Sequence, residues 1–144
     1  MKIKKKILIS ISICVVILMI VILSVISYAN EYLKVYNFNF DDYKYGIEFY
    51  EIEKEQFSSV ADAVSSETLG PIDSARVARR KAVSIFKKAY DKEMLAQINP
   101  CKVYFDENND IWLVKGTLPK NTLGSVPIIM FEKQTGKIIA LWFG

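Results

Sequence analysis

The chain contains no histidine. That removes the commonest general base near neutral pH and the commonest metal ligand. Only two cysteines are present, Cys14 and Cys101, and they fit no disulfide framework or zinc spacing. Cys14 lies within a long apolar run and Cys101 far outside it, so one belongs to a bilayer and the other to an exported domain. They cannot bridge each other. Cys101 is either a buried small apolar residue or the thiol of an intermolecular disulfide. There is no Ser-centred nucleophile elbow and no glycine loop to cradle a phosphate. Asp106 to Asp110 (DENND) lacks the 12-residue spacing, central glycine and terminal glutamate of a calcium loop. Asp106 and Asp110 flank a turn and Glu132 ends a strand, so all three are expected to be solvated, and nothing pairs carboxylates across a pocket. The sequence therefore points to no enzyme, no metal and no cofactor.

What is abundant is apolar sequence at the N-terminus. Ile7 to Ile26 is an uncharged run of Ile, Leu, Val, Met, Ser and Cys. As a helix it extends roughly 30 Å, the hydrocarbon thickness of a bilayer, and it has no polar face such as a soluble helix shows. Lys2, Lys4, Lys5 and Lys6 precede it. Positive residues stay cytoplasmic, so the N-terminus is inside and the rest is exported. Removing those four lysines from the net charge of +3 leaves about −1, so the basic tail reports topology and not a nucleic-acid surface. Tyr28, Tyr32 and Tyr36 fit either the far headgroup layer or the linker. Ser27-Tyr28-Ala29 also suits a cleavage site after Ala29, which would make the protein secreted. The run exceeds the usual signal core, which favours retention as an anchor. Cys14, preceded by Ile13, does not suit a lipoprotein.

Charge then divides the remainder. Glu31 to Glu67 holds nine acidic and three basic residues, whereas Gly70 to Gly144 holds seven acidic and twelve basic. The expected organisation is a cytoplasmic tail (1–6), a transmembrane helix (7–28), an acidic aromatic juxtamembrane segment (29–69) and a domain (70–144), with Gly70-Pro71 at the boundary. Tyr43 to Glu53 alternates partly, as a strand would, and Phe57 to Val64 suits one or two helical turns. The acidic segment is either a loosely packed stalk or part of the domain's sheet.

In the last segment Asp73 is the expected N-cap. Ala75, Ala78, Ala82, Ile85, Phe86 and Ala89 recur at spacings of three and four, one apolar face of a helix ending near Tyr90 or Asp91. Arg76, Arg79, Arg80, Lys81, Lys87 and Lys88 are assigned to the opposite, solvated face, open to an acidic partner or anionic headgroups. Strands are expected over Lys102–Phe105, Ile111–Thr117, Val126–Glu132 and Lys137–Phe143. Their short turns make neighbouring strands antiparallel. The expected fold is α+β, one main helix on a meander of three to four strands. Phe86, Trp112, Phe131 and Trp142 would contribute most to its core, at roughly 2–3 kcal/mol each.

Gly70-Pro71-Ile72-Asp73, the alanine-spaced helix and Pro100 before the first strand resemble the short NTF2-fold immunity proteins of bacterial polymorphic-toxin systems. Trp112-Leu113-Val114-Lys115-Gly116-Thr117-Leu118-Pro119 looks like that family's W-x-V-x-G-T-L-P segment. Gly124-Ser125-Val126 stands where the family tends to have Gly-Gly-Val, a departure at Ser125. Lys133-Gln134-Thr135-Gly136-Lys137 looks like its final hairpin turn. The resemblance covers about half the chain, 70–144. It implies an NTF2-like domain that neutralises a cognate toxin by binding. Trp112 is read as core, with its N–H seeking a partner, and Gly116 as permitting a bulge or close approach. Interfaces need aromatic and Arg anchors. The candidates are Trp112, Lys115, Leu118, Pro119 and Leu123 near the G-T-L-P loop, with Arg79 and Arg80 on the helix. The expected partners are the toxin or another envelope protein, and membrane lipid through residues 7–28. The rival readings are a PepSY-like envelope module that inhibits a protease or assists an envelope complex, and a small-ligand pocket or enzyme in an NTF2-like cone.

Overall fold

The computed structural model describes residues 2–65, 69–95 and 100–144, with side chains from Ile11 onward. The chain forms two compact units, 1–33 and 34–144. The first is helix α1 (Lys2–Leu33), whose stretch Ile11–Leu33 is long and apolar enough to cross a bilayer. From Ile11 on its leucine, isoleucine and valine side chains lie exposed, and its length and composition suit either a membrane anchor or a signal sequence. Ala29 sits within α1, which continues to Leu33.

The second unit is built on a sheet of five strands, in the order β1 (Val35–Asn37), β2 (Lys102–Asp106), β3 (Ile111–Lys115), β4 (Pro127–Glu132) and β5 (Ile138–Phe143). This corrects the expectation of three to four. The added strand is β1, from the acidic segment, which pairs in parallel with β2; the other pairs are the expected antiparallel meander. Three residues cannot display a period-2 pattern, and a parallel neighbour 68 positions away leaves no local trace. The change of charge at Gly70-Pro71 falls inside this unit.

The main helix, α4 (Ala75–Ala89), buries Ala75, Ala78, Ala82, Ile85, Phe86 and Ala89 as the periodicity requires. Its N-cap is Ser74, not Asp73: the Ser74 hydroxyl accepts from the Val77 N–H at 3.4 Å. α4 packs on β2, β3 and β4. At its end, Tyr90 meets Phe143 edge-on with centroids 4.6 Å apart. Both faces of the sheet are covered. Strand alternation puts Trp112, Val114, Ile129 and Phe131 on one face and Leu113, Met130, Ala140 and Trp142 on the other, and all eight are buried.

The second cover comes from the acidic segment. Tyr43 to Glu53 is not a strand. Phe40–Tyr43 is a 3-10 turn leading into α2 (Lys44–Gln56), which packs on β5. Gly46 faces the Trp142 indole, and a Cβ there would lie 2.6 Å from two ring carbons. The packing face of α2 thus carries a glycine where a helical pattern would show a large apolar residue, which hides the period. α3 (Ser58–Ser65) buries Val60 and Ala63 and touches both α2 and α4. A single turn, α5 (Lys92–Leu95), follows α4.

Candidate interaction surface

The seven residues singled out by sequence divide into interior and surface. Trp112 is core, and its indole N–H donates to the Ile72 carbonyl at 2.8 Å. Arg79 is not on the solvated face of α4: it is 3 % exposed, and its Nε donates to the Cys101 carbonyl at 3.2 Å. One turn of arginines was assigned to solvent, but the buried arc of α4 is wide enough to include position 79 beside Ala75, Ala78 and Ala82. Arg80 is exposed. Lys115 and Leu118 are half-buried, and Pro119 and Leu123 are exposed.

The surface residues gather at one end of the sheet. After β3, Gly116 donates its N–H to the Pro127 carbonyl at 2.9 Å, and the chain then leaves the ladder. Residues 117–125 form a loop held at its base by the Thr117 hydroxyl, which donates to the Pro100 carbonyl at 2.6 Å. Within it the Thr122 N–H donates to the Pro119 carbonyl at 3.1 Å, and Asn121 takes φ 65°, a left-handed conformation that asparagine tolerates. Ser125 does not take a positive φ, so a serine there carries no left-handed backbone strain. Leu118 packs on the core, whereas Leu123 is 98 % exposed. A leucine displayed so fully on a tethered loop stabilises nothing within this fold. Between the loop and the sheet lies a cleft of about 340 Å³, lined by Lys102, Tyr104, Lys115, Leu118 and Gly124 among others. Lys102 and Tyr104 were not among the sequence candidates. Their signal was alternation: as i and i+2 of one strand they share a face.

Asp106 corrects a second expectation. It is buried, not solvated. Its carboxylate accepts from the Asn108 and Asn109 N–H groups, the Asn109 side-chain amide and the Phe40 N–H. The Asn109 amide and the Phe40 N–H, with these other donors, hold its pKa below the usual carboxylate value. The bond to Phe40 joins the acidic segment to the β2–β3 turn. Burial acts the opposite way on Glu53, whose carboxyl is raised by desolvation. Among the described residues, its Oε2 and the Tyr90 hydroxyl have no hydrogen-bond partner. Burial also raises Tyr90, followed by the charges of Glu53 and Tyr50, pushes Tyr50 up to about 12, and pushes the Cys101 thiol up to about 11 against the lowering effect of Arg79. Cys101 is buried and not in a disulfide. A larger cleft, about 760 Å³, lies between α2, α3 and the ends of β3–β5. Glu51, Lys54, Glu132 and Lys137 line it with both signs of charge. Among the described residues, no three His, Cys, Asp or Glu side chains group as a metal site.

Residues 77–144, from the first turn of α4 to the end of β5, match the family model described as NTF2 fold immunity protein, the family the sequence resembles. The helix-on-sheet arrangement is consistent with an NTF2-like fold. No curated protein and no solved structure matches the chain.

Proposed function

With residues 77–144 matching the NTF2 fold immunity proteins, we propose that this protein is a membrane-anchored immunity protein that neutralises a bacterial toxin by binding it. The observation that carries the binding surface is Leu123, 98 % exposed on a loop tied down at its base. An apolar group held out in water by a constrained loop contributes only when a partner buries it, and its ordering cost is already met. Pro119 and the cleft lined by Lys115 and Leu118 adjoin it. Trp112 and Arg79 are interior residues bonded to the Ile72 and Cys101 carbonyls, and in this reading they do not contact the partner. The protein acts by occupying the toxin and performs no catalysis.

α1 is the anchor in this reading, with the lysine-rich end cytoplasmic and residues 34–144 outside. The test is co-expression with the toxic domain encoded beside this protein's gene. The full chain should restore growth and co-purify with that domain. Leu123→Asp should lose both while its thermal unfolding stays within about 0.5 kcal/mol of the parent. A chain that neither rescues growth nor binds the neighbouring toxin would sink the reading.

A further inference from the structure

Helix α2 leaves a row of large apolar side chains outside the fold. Its inner face, with Gly46 and Tyr50, is buried, and Gly46 meets the Trp142 indole. Tyr45, Phe49 and Ile52 stand at i, i+4 and i+7, one stripe of a helix, and that stripe is turned away from the buried one. Tyr45 is 75 % exposed and Ile52 52 %. Phe49 is half-buried, and its ring stacks with that of Tyr45, centroids 6.3 Å apart and planes 17° from parallel. Helix propensity does not explain these residues. Aromatic and β-branched side chains lose rotamer freedom in a helix, and alanine, glutamate or lysine suits a solvated position better. Single exposed apolar residues need no explanation, but three at the spacing by which helices dock do. The stripe also lies before Val77, where the family match begins, so the immunity-protein resemblance does not account for it.

Charge identifies what would cover it. Glu48, Glu51 and Glu55 run alongside the stripe at i, i+3 and i+7, and all three are exposed. Among the described residues none of them is in an ion pair. Lys54, next to Glu55, is turned over the Tyr50 ring, 5.8 Å from its centroid. From Asp41 to Glu55 there are six acidic and two basic residues, so the stripe is set in a negative surface. Anionic lipid headgroups would be repelled by it. Two copies meeting stripe to stripe would bring two negative surfaces together. The face of α4 on a second copy offers Arg76 and Arg80, but among the described residues no large apolar side chain of α4 is exposed. What fits is an amphipathic helix whose own apolar stripe is flanked by Lys or Arg.

We propose that the outer face of α2 is a docking site for a basic amphipathic helix of a partner protein. Tyr45, Phe49 and Ile52 are its apolar anchors, and Glu48, Glu51 and Glu55 are the rim that selects Lys or Arg. The site is separate from the 117–125 loop and does not depend on toxin binding there. Three exposed ion pairs should favour a basic helix about tenfold over its acidic counterpart, and the preference should fade with salt.

The test is fluorescence anisotropy with the full chain in a nonionic detergent, with protein-free micelles as the background. The probe is a labelled alanine-based peptide of about four helical turns, with leucine at spacings of three and four and lysine on both flanks. Its counterpart carries glutamate in place of lysine. The lysine peptide should saturate the parent, and the glutamate peptide should bind about tenfold more weakly. Tyr45→Ser/Ile52→Ser should lose about tenfold or more in affinity for the lysine peptide. Glu48→Lys/Glu51→Lys/Glu55→Lys should reverse the preference, and both variants should melt as the parent does. Leu123→Asp should bind the lysine peptide like the parent, so this site and toxin neutralisation fail separately. No saturable binding, equal binding of the two peptides by the parent, or a serine variant that binds as well as the parent overturns the proposal. Dimerisation of the full chain that the serine variant abolishes assigns the face to a second copy and also overturns it.

Discussion

Single residues decide how the acidic segment is held. Asp106 accepts four hydrogen bonds, one of them from Phe40 across 66 positions. Its pKa is lowered in the fold, so it stabilises the protein fully above its unfolded value of about 3.9. That contribution is lost as pH falls through the folded value. Asp106→Asn should unfold at lower urea at pH 7, and the gap should narrow in urea titrations below pH 4. Glu53 has the opposite sign. Its pKa is raised, so its contribution is full below the unfolded value of about 4.3 and declines as pH rises through the folded value. Glu53→Gln should therefore raise the urea midpoint at pH 7 and change it little at pH 4. Trp112→Phe keeps an aromatic ring but leaves the Ile72 carbonyl unpaired, at an expected cost of about 1–3 kcal/mol in equilibrium unfolding. The tryptophan's N–H partner was anticipated from its residue type. The carboxylate at 106 was not, because its main-chain donor at Phe40 comes from a part of the chain that the sequence assigned elsewhere.

At the scale of elements, what was legible was what carried a period or a turn. α4 shows alanines at three and four, and β2 to β5 are punctuated by DENND and by the Lys133–Gly136 turn, where Gly136 takes φ 69°. The elements missed were those whose reason is another element. β1 is too short to alternate, and α2 has Gly46 at its contact with Trp142. That contact makes a specific prediction. Gly46→Ala would gain up to about 1 kcal/mol of helix propensity, but its methyl overlaps the indole, and overpacking costs typically 1–3 kcal/mol. The variant should be less stable than the parent by about 1 kcal/mol in thermal or urea unfolding, and a shift to higher stability would show that α2 does not press on β5. The binding candidates were sorted by the same logic. Leu123 was legible as a loop residue, while Arg79 was misplaced because helical spacing gives the centre of a buried arc better than its edge.

For the molecule as a whole, the family match begins at Val77, but the compact unit begins at Lys34. The 34–65 region supplies α2, which packs on β5 with Gly46 and Tyr43 against Trp142, and β1, the strand that pairs with β2. A fragment of residues 70–144 should therefore bind the dye ANS and lack a cooperative melt, whereas 34–144 should unfold in one transition. The aromatic and acidic residues of 34–65 thus belong to the folded unit, and the charge change at Gly70 falls within it. The central claim is that this folded unit neutralises a toxin through the 117–125 loop. It is tested most directly by growth of cells expressing the neighbouring toxic domain together with the full chain or its Leu123→Asp variant, at equal levels in the membrane fraction. The account predicts growth with the parent and arrest with the variant. Equal growth with both would contradict the role of the loop, and arrest with both would contradict neutralisation itself.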